Sequence, residues 1–235
     1  MLKPFKHKKI SDQIFEQIRD MIYRGEYSPG QRLMSERDLA TLFGVGRPTV
    51  REAIQKLIDQ GLIESKRGVG AFVLDEKTRY QKTTPLLQIL PKEEFSIAEF
   101  LEIRMALEAK GAEMAAKRAT DEDVLMIEKS LERMRWGSQQ ESKGMSMSDD
   151  IAFHMNIAYA SRNMFQIHLM KHIYDVQYYA MEKAYSDLLM SLRIDKLIFQ
   201  QHENIVQSIK NREPDQARRF MEEHISTVLK NIVQV

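Results

Sequence analysis

Cysteine is absent from this chain of 235 residues. Its absence excludes disulfide bonds, thiolate metal ligands and cysteine nucleophiles, and it suits the reducing cytoplasm, where we expect the protein to act. No run approaches about 18 consecutive apolar residues, so we expect no membrane partner, and the polar, basic N-terminus predicts no signal peptide. The apolar and charged fractions, 43% and 29%, are those of an ordinary globular protein.

The chain also lacks a strong net charge, which is only +1. Its distribution is uneven, because residues 1–78 contain 14 lysine and arginine residues against 11 acidic ones. Subtraction from the totals of 35 and 34 leaves 21 against 23 for the remainder. The N-terminal part is therefore mildly basic, which favours a nucleic-acid partner for that part alone.

Three helical patterns and a hairpin pattern occupy the N-terminal third. Apolar residues recur at helical spacing over residues 10–24, over a short segment that begins at Ser35, and from Gly46 to Gln60. Two short apolar runs then flank the glycine-rich residues 67–70, as in a β-hairpin. This order predicts a winged helix-turn-helix domain over residues 1–75, with DNA as its partner.

The third predicted helix begins with long polar side chains, as a helix that enters the major groove requires. Arg47 and Arg51 are four residues apart and share a face, and an arginine fork can pair with two acceptors on guanine. The candidate DNA-contacting residues are Arg37, Arg47, Thr49, Arg51, Arg67 and Gly68. By composition alone, these arginines could instead form the solvated face of an ordinary three-helix domain.

The rest of the chain is helical in pattern. Residues 76–95 are predicted to form a polar linker and a short helix near residues 86–90. From residue 96 to residue 235 the pattern predicts only helices, whose starts are marked by residues such as Thr120 and Pro214. The predicted fold class is therefore mainly α, with a winged helix-turn-helix followed by an all-α antiparallel helical bundle.

Four potential metal ligands lie on three of these predicted helices. Asp150 and His154 are four residues apart and share a helix face, while His202 and His224 lie on two later helices. One carboxylate and three imidazoles suit zinc, nickel or manganese, and zinc is the default. The spacing alone is weak evidence, since an Asp-x-x-x-His pair is more often surface chemistry. A rival pair, His168 and His172, is interpreted as a core or interface feature.

Residues 10–74 resemble the DNA-binding domain of the GntR family of bacterial repressors. The matching segments are Pro29–Leu33, Ser35–Ala40, Gly44–Ala53, Gly61–Ile63 and Arg67–Val73. The resemblance implies that Arg37, Arg47, Thr49, Arg51 and Gly68 contact operator DNA. Many relatives have proline where Met34 stands here, a difference that concerns the turn before the second helix.

Residues 96–230 resemble the effector domain of the FadR subfamily, the FCD domain. The matching motifs are Glu102-x-Arg104-x-x-Leu107-Glu108, Asp150-x-x-Phe153-His154, His202-x-x-Ile205 and Ala217 with His224. In metal-binding members, the positions of Asp150, His154, His202 and His224 are the ligands. The resemblance implies that Arg104 faces the effector pocket, where it could bind a carboxylate bidentately. The alternative for Arg104 is a helix-surface ion pair with Glu108.

The resemblance implies a transcriptional regulator, and a repressor in preference to an activator. We expect a homodimer on a palindromic operator, controlled by a small carboxylate such as a hydroxy acid, a sugar acid, sialic acid or a dicarboxylate. One alternative is a metallohydrolase, but no motif supplies its general base or oxyanion stabiliser. Another is a constitutive DNA-binding protein whose metal is only structural.

DNA binding should depend on Arg47 and Arg51. If both contact base edges, changing either to alanine should cost about 1–3 kcal/mol of binding free energy and flatten the sequence preference. The measurement is a titration of an operator selected from random DNA, with a scrambled duplex as the control. Unchanged operator affinity in both variants would show that the recognition helix lies elsewhere.

Overall fold

The computed structural model describes residues 9–75, 78, 96–139, 146–174 and 192–233. The chain divides into two compact units, Met1–Thr83 and Thr84–Val235. The predicted linker and the short helix near residues 86–90 lie outside the described residues, apart from residue 78. Within the described parts the protein is mostly helical, with a single two-stranded sheet, so the predicted fold class is confirmed.

The first unit is a three-helix domain with a hairpin. Its elements are α1 (Ile10–Tyr23), α2 (Glu36–Phe43), α3 (Arg47–Asp59), β1 (Ile63–Lys66) and β2 (Gly70–Val73). The strands pair antiparallel, with Ile63 opposite Val73 and Lys66 opposite Gly70. Helix α3 packs against α1, α2 and β1, and its residues Val50 and Leu57 are fully buried. The hairpin therefore forms a wing beside α3, and α3 is held in place by its packing against α1, α2 and β1.

Local signals set the ends of α2. It begins after Ser35, whose hydroxyl accepts a hydrogen bond from the backbone N–H of Asp38 at 3.2 Å. It ends at Gly44, which has a φ of 64°. That left-handed conformation is open to glycine without the strain that a side chain would add. The turn between α2 and α3 is thereby kept short.

The second unit is entirely helical among its described residues. Its helices are α4 (Ile97–Arg118), α5 (Asp121–Gln139), α6 (Met147–Ala160), α7 (residues 164–174), α8 (Leu192–Lys210) and α9 (Pro214–Val233). Helix α4 packs against α6, α8 and α9, and α5 packs against α6 and α8. No helix in the described ranges is both long and apolar enough to cross a membrane.

Helix α6 lies at the centre of this unit. Every residue from Asp150 to Ala160 is buried, so the helix has no solvent face over almost three turns. Most of the residues in this stretch are apolar, and Phe153 and Met155 are fully enclosed, but Asp150, His154 and Asn156 are buried among them. Any polar side chain on α6 must therefore find its partners inside the protein.

Candidate metal centre and nucleic-acid interface

The two arginines at the start of α3 are exposed but not isolated. Arg51 binds the carboxylate of Glu36 through Nε at 3.3 Å and Nη2 at 3.0 Å, and Nη2 of Arg47 lies 3.7 Å from the same carboxylate. The hydrogen bond from Arg51 lowers the pKa of Glu36, so the carboxylate stays ionised. Glu36 on α2 was not among the predicted site residues, although it stands beside the predicted Arg37.

A groove of about 550 Å³ lies between the starts of α2 and α3 and the wing. Its lining includes Arg32, Arg37, Arg47, Lys66, Arg67 and Gly68. Four of these residues were predicted DNA contacts, while Arg32 and Lys66 were not. Both are exposed basic residues on or beside the hairpin strands, and their charge was the available signal. The groove is thus lined by several cations that could bind phosphate.

Gly68 occupies the tip of the wing with a φ of 75°. No heavy atom lies within 4 Å of where a Cβ would stand, so space does not require glycine there. The backbone conformation does, because a side chain at this φ would be strained. The exposed tip therefore offers bare backbone, which can approach a DNA strand closely.

The structure brings together the four predicted metal ligands in the second unit. Asp150 and His154 come from α6, His202 from α8 and His224 from α9, and all four are buried. One ligand atom from each lies within 4.8 Å of the others. The Nε2 atoms of His154 and His202 lie 3.6 and 3.5 Å from Oδ1 of Asp150. Ligand atoms about 2.0–2.1 Å from one tetrahedral metal are roughly 3.3–3.4 Å apart, so this spacing fits an ion.

Unsatisfied polar atoms point to the same conclusion. Within the described part of the chain, buried atoms with no hydrogen-bond partner include Oδ1 of Asp150, Nε2 of His154, both ring nitrogens of His202 and Nδ1 of His224. Each buried polar atom left unpaired costs about 1–3 kcal/mol. A shared cation would give several of these atoms a partner at once, so the donor set fits a divalent metal.

The protonation states at the cluster also suit ligation. Burial lowers the pKa of His202 to about 3 and lowers the pKa of His224 well below its ordinary value. Burial opposes the ionisation of Asp150, but the neighbouring histidines and Arg104 hold its pKa below the usual range. At neutral pH the cluster therefore offers His202 and His224 as neutral imidazoles and Asp150 as a carboxylate, which are the forms that bind metal. Burial opposes the protonation of His154, but the carboxylates of Glu108 and Asp150 raise its pKa above the ordinary value, so ligation by His154 requires the loss of a proton wherever the ring is charged.

Arg104 is buried beside this cluster. Its Nε donates a hydrogen bond to Oε1 of Glu108, and its guanidinium carbon lies 5.3 Å from the centre of the Tyr174 ring. The expected alternative, an ion pair with Glu108, is thus present, but the pair is buried and not on the helix surface. Nη2 of Arg104 lies 3.9 Å from Oδ2 of Asp150 and has no hydrogen-bond partner among the described residues.

Glu108 was predicted only as an ion-pair partner for Arg104. Its second carboxylate oxygen, Oε2, contacts Nδ1 of His154. Glu108 therefore touches both a predicted metal ligand and the predicted effector-binding arginine. The sequence carried a signal only for the contact with Arg104, which lies four residues away on α4, because the contact with His154 joins α4 and α6.

The rival histidine pair lies outside the core. His168 and His172 are both exposed on α7, so of the two alternatives in their interpretation, core or interface, the core is wrong. Helix α7 packs through the residues Ile167, Met170, Ile173 and Tyr174, which are buried. This stripe turns His172 to the outside, and Phe165 on the same helix is 79% exposed. A role for either histidine at an interface stays a prediction.

A winged helix-turn-helix and a helical domain with a buried ligand cluster together define a DNA-binding transcription regulator. The model described as "Bacterial regulatory proteins, gntR family" matches residues 10–73, and the model of the FCD domain matches residues 99–227. The chain belongs to the GntR family, and its second domain is an FCD domain. Its resemblance to that family and to FadR-like regulators is thereby confirmed.

Two similar regulators match this chain over most of their length. The transcriptional repressor NanR of Salmonella schwarzengrund is 30% identical over 239 residues, which cover 96% of this chain and 85% of that protein. The putative L-lactate dehydrogenase operon regulatory protein of Escherichia coli K12 is 29% identical over 224 residues, covering 94% and 85%. The family and these relatives are transcription regulators, so the chain is a regulator and not an enzyme.

A solved structure agrees with the fold. The GntR protein of Streptococcus agalactiae superposes with a TM-score of 0.52 at 23% sequence identity, over 94% of this chain and 99% of that one. At this identity the likeness supports the shared architecture alone.

Proposed function

We propose that this regulator is a repressor whose operator affinity is controlled by a small organic acid bound at a metal centre in the FCD domain. The observation that carries the proposal is the buried cluster of one aspartate and three histidines with Arg104 beside it. Arg37, Arg47, Thr49, Arg51, Arg67 and Gly68 are the residues proposed to contact DNA. Binding of the organic acid would shift the equilibrium between the protein bound to its operator and the protein free of DNA.

Asp150, His154, His202 and His224 would hold the metal, with zinc as the first choice and nickel or manganese as alternatives. The bound ion would supply a positive, Lewis-acidic centre to which a carboxylate can bind. Four protein ligands leave room for further coordination when the ion accepts five or six ligands. The buried donor Nη2 of Arg104 is available to the same carboxylate.

Removing one ligand should release the metal. Purified protein should carry about one divalent ion per chain, and His202→Ala should markedly weaken its retention because one of four ligands is lost. Added zinc should raise the melting temperature of the wild-type protein, since binding to the folded state stabilises it, and should do so far less in the variant. Elemental analysis and thermal unfolding measure both effects.

His172→Ala is the matched control, because His172 is an exposed histidine of the same domain. It should retain zinc like the wild-type protein. Equal zinc retention in wild type and His202→Ala would show that the four side chains do not form the metal centre.

The effector is proposed to be a carboxylate. The panel consists of L-lactate, gluconate, N-acetylneuraminate and succinate, one acid from each expected class, tested with zinc-loaded protein and its selected operator. One acid should raise the melting temperature and change operator affinity.

Arg104→Lys should weaken this response, because lysine keeps the charge but loses the planar guanidinium that binds a carboxylate through two hydrogen bonds. Lysine is chosen because alanine would leave Glu108 buried without its cation.

The response of operator affinity to the acids distinguishes the proposed effector-controlled repressor from a constitutive DNA-binding protein whose metal is only structural. If zinc stabilises the protein and no acid of the panel alters operator affinity, the metal is structural and the regulator is constitutive. The exposed Arg218 on α9 supplies the control Arg218→Lys, which should leave the acid response unchanged.

The oligomeric state is proposed to be a homodimer. One winged helix reads one half-site, and a palindromic operator calls for a protein with two-fold symmetry. Light scattering should therefore give twice the chain mass of 27.5 kDa at micromolar concentration. A monomer that keeps full operator affinity would contradict the proposal.

A further inference from the structure

His154 stands between two carboxylates on opposite edges of its ring. Its Nε2 lies 3.6 Å from Oδ1 of Asp150, on the side of the proposed metal centre. Its Nδ1 contacts Oε2 of Glu108, on the side of α4. The His154 side chain is fully buried, so no bulk water competes at either nitrogen. Protein groups alone therefore decide which nitrogen carries a proton.

A neutral imidazole carries one proton, on Nδ1 or on Nε2, and only the other nitrogen has a lone pair for a metal. A carboxylate against Nδ1 accepts a hydrogen bond from an Nδ1–H but repels a lone pair at that position. Glu108 is itself fixed, because Nε of Arg104 donates to its other oxygen, Oε1. Glu108 therefore favours the form of His154 in which Nε2 is free.

We propose that Glu108 is a positioning residue of the metal centre, which holds the proton of His154 on Nδ1 and so presents Nε2 to the ion. The inference rests on the metal centre proposed above and assigns Glu108 a role in it without direct ligation. A ligating histidine commonly donates its second N–H to a carboxylate, and loss of such a partner typically weakens metal binding 10–100-fold.

Glu108→Gln is the sharpest variant, because glutamine has nearly the same shape. Its amide has one oxygen and one NH₂ group, whereas Arg104 presents an N–H group to this position and, under the proposal, His154 does too. Only one of them can be satisfied by the oxygen. The NH₂ group then faces the other, which disfavours either the Nδ1–H form of His154 or the bond to Arg104.

Glu113→Gln is the control. Glu113 is on the same helix and is also largely buried, but its carboxylate binds Lys110 at 2.8 Å and Lys117 at 2.6 Å. The variant therefore makes the same chemical change on α4 with a different pair of partners. A general effect of neutralising an acidic residue on this helix would appear in both variants.

The first measurement needs no metal. Long-range ¹H–¹⁵N spectra of histidine-labelled, metal-free protein at pH 9 report the protonated nitrogen of His154. We expect Nδ1–H in the wild-type protein and in Glu113→Gln, and a loss of that preference in Glu108→Gln. An Nε2–H form or a doubly protonated ring in the wild-type protein would overturn the inference, even if Glu108→Gln fails to fold.

The second measurement is zinc affinity, by competition with a chromophoric chelator. Glu108→Gln should bind zinc 10–100-fold more weakly than wild type, and Glu113→Gln should bind it equally well. Equal affinity in Glu108→Gln would overturn the role of Glu108 while leaving the metal centre intact. Failure of the wild-type protein to bind zinc would instead overturn the metal centre and, with it, this inference.

Discussion

The buried negative charge of Asp150 is the constraint around which the FCD domain is arranged. An isolated carboxylate in a protein interior is strongly unfavourable unless charges and hydrogen bonds compensate it. Here the compensation comes from Arg104 on α4, His154 on α6 itself and His202 on α8. Because the partners belong to three helices, the packing of α4, α6 and α8 and the chemistry of the centre depend on one another.

Much of the fold could be predicted because its signals are local. Ser35 as an N-cap, Gly44 as a helix end and the glycines of the hairpin each act within a few residues of sequence. The same is true of Arg47 and Arg51, whose shared face follows from helical spacing. Glu36 was missed because its contact with them joins two helices across the turn.

The cluster of Asp150, His154, His202 and His224 could be predicted only in part from the sequence. The spacing of Asp150 and His154 indicates a shared face, but nothing in the spacing brings His202 and His224 to the same level. That prediction came from the resemblance, and the structure shows the four side chains together. The burial of Arg104 and Glu108 could not be predicted from the sequence. Their spacing is that of an exposed ion pair on one helix, and they are buried because α6 packs against α4.

The pairing of Glu36 with Arg47 and Arg51 has a consequence for the proposed recognition of DNA sequence by these two arginines. The two guanidiniums already have a carboxylate partner, so the proposed contact with a base edge would be an exchange of partners and not a gain from solvent alone. A weakly matched base competes poorly in such an exchange, whereas a guanine that accepts two hydrogen bonds competes well. With the proposed contacts, Glu36 would lower the attraction of the two arginines to phosphate and would leave more of the binding free energy dependent on the bases.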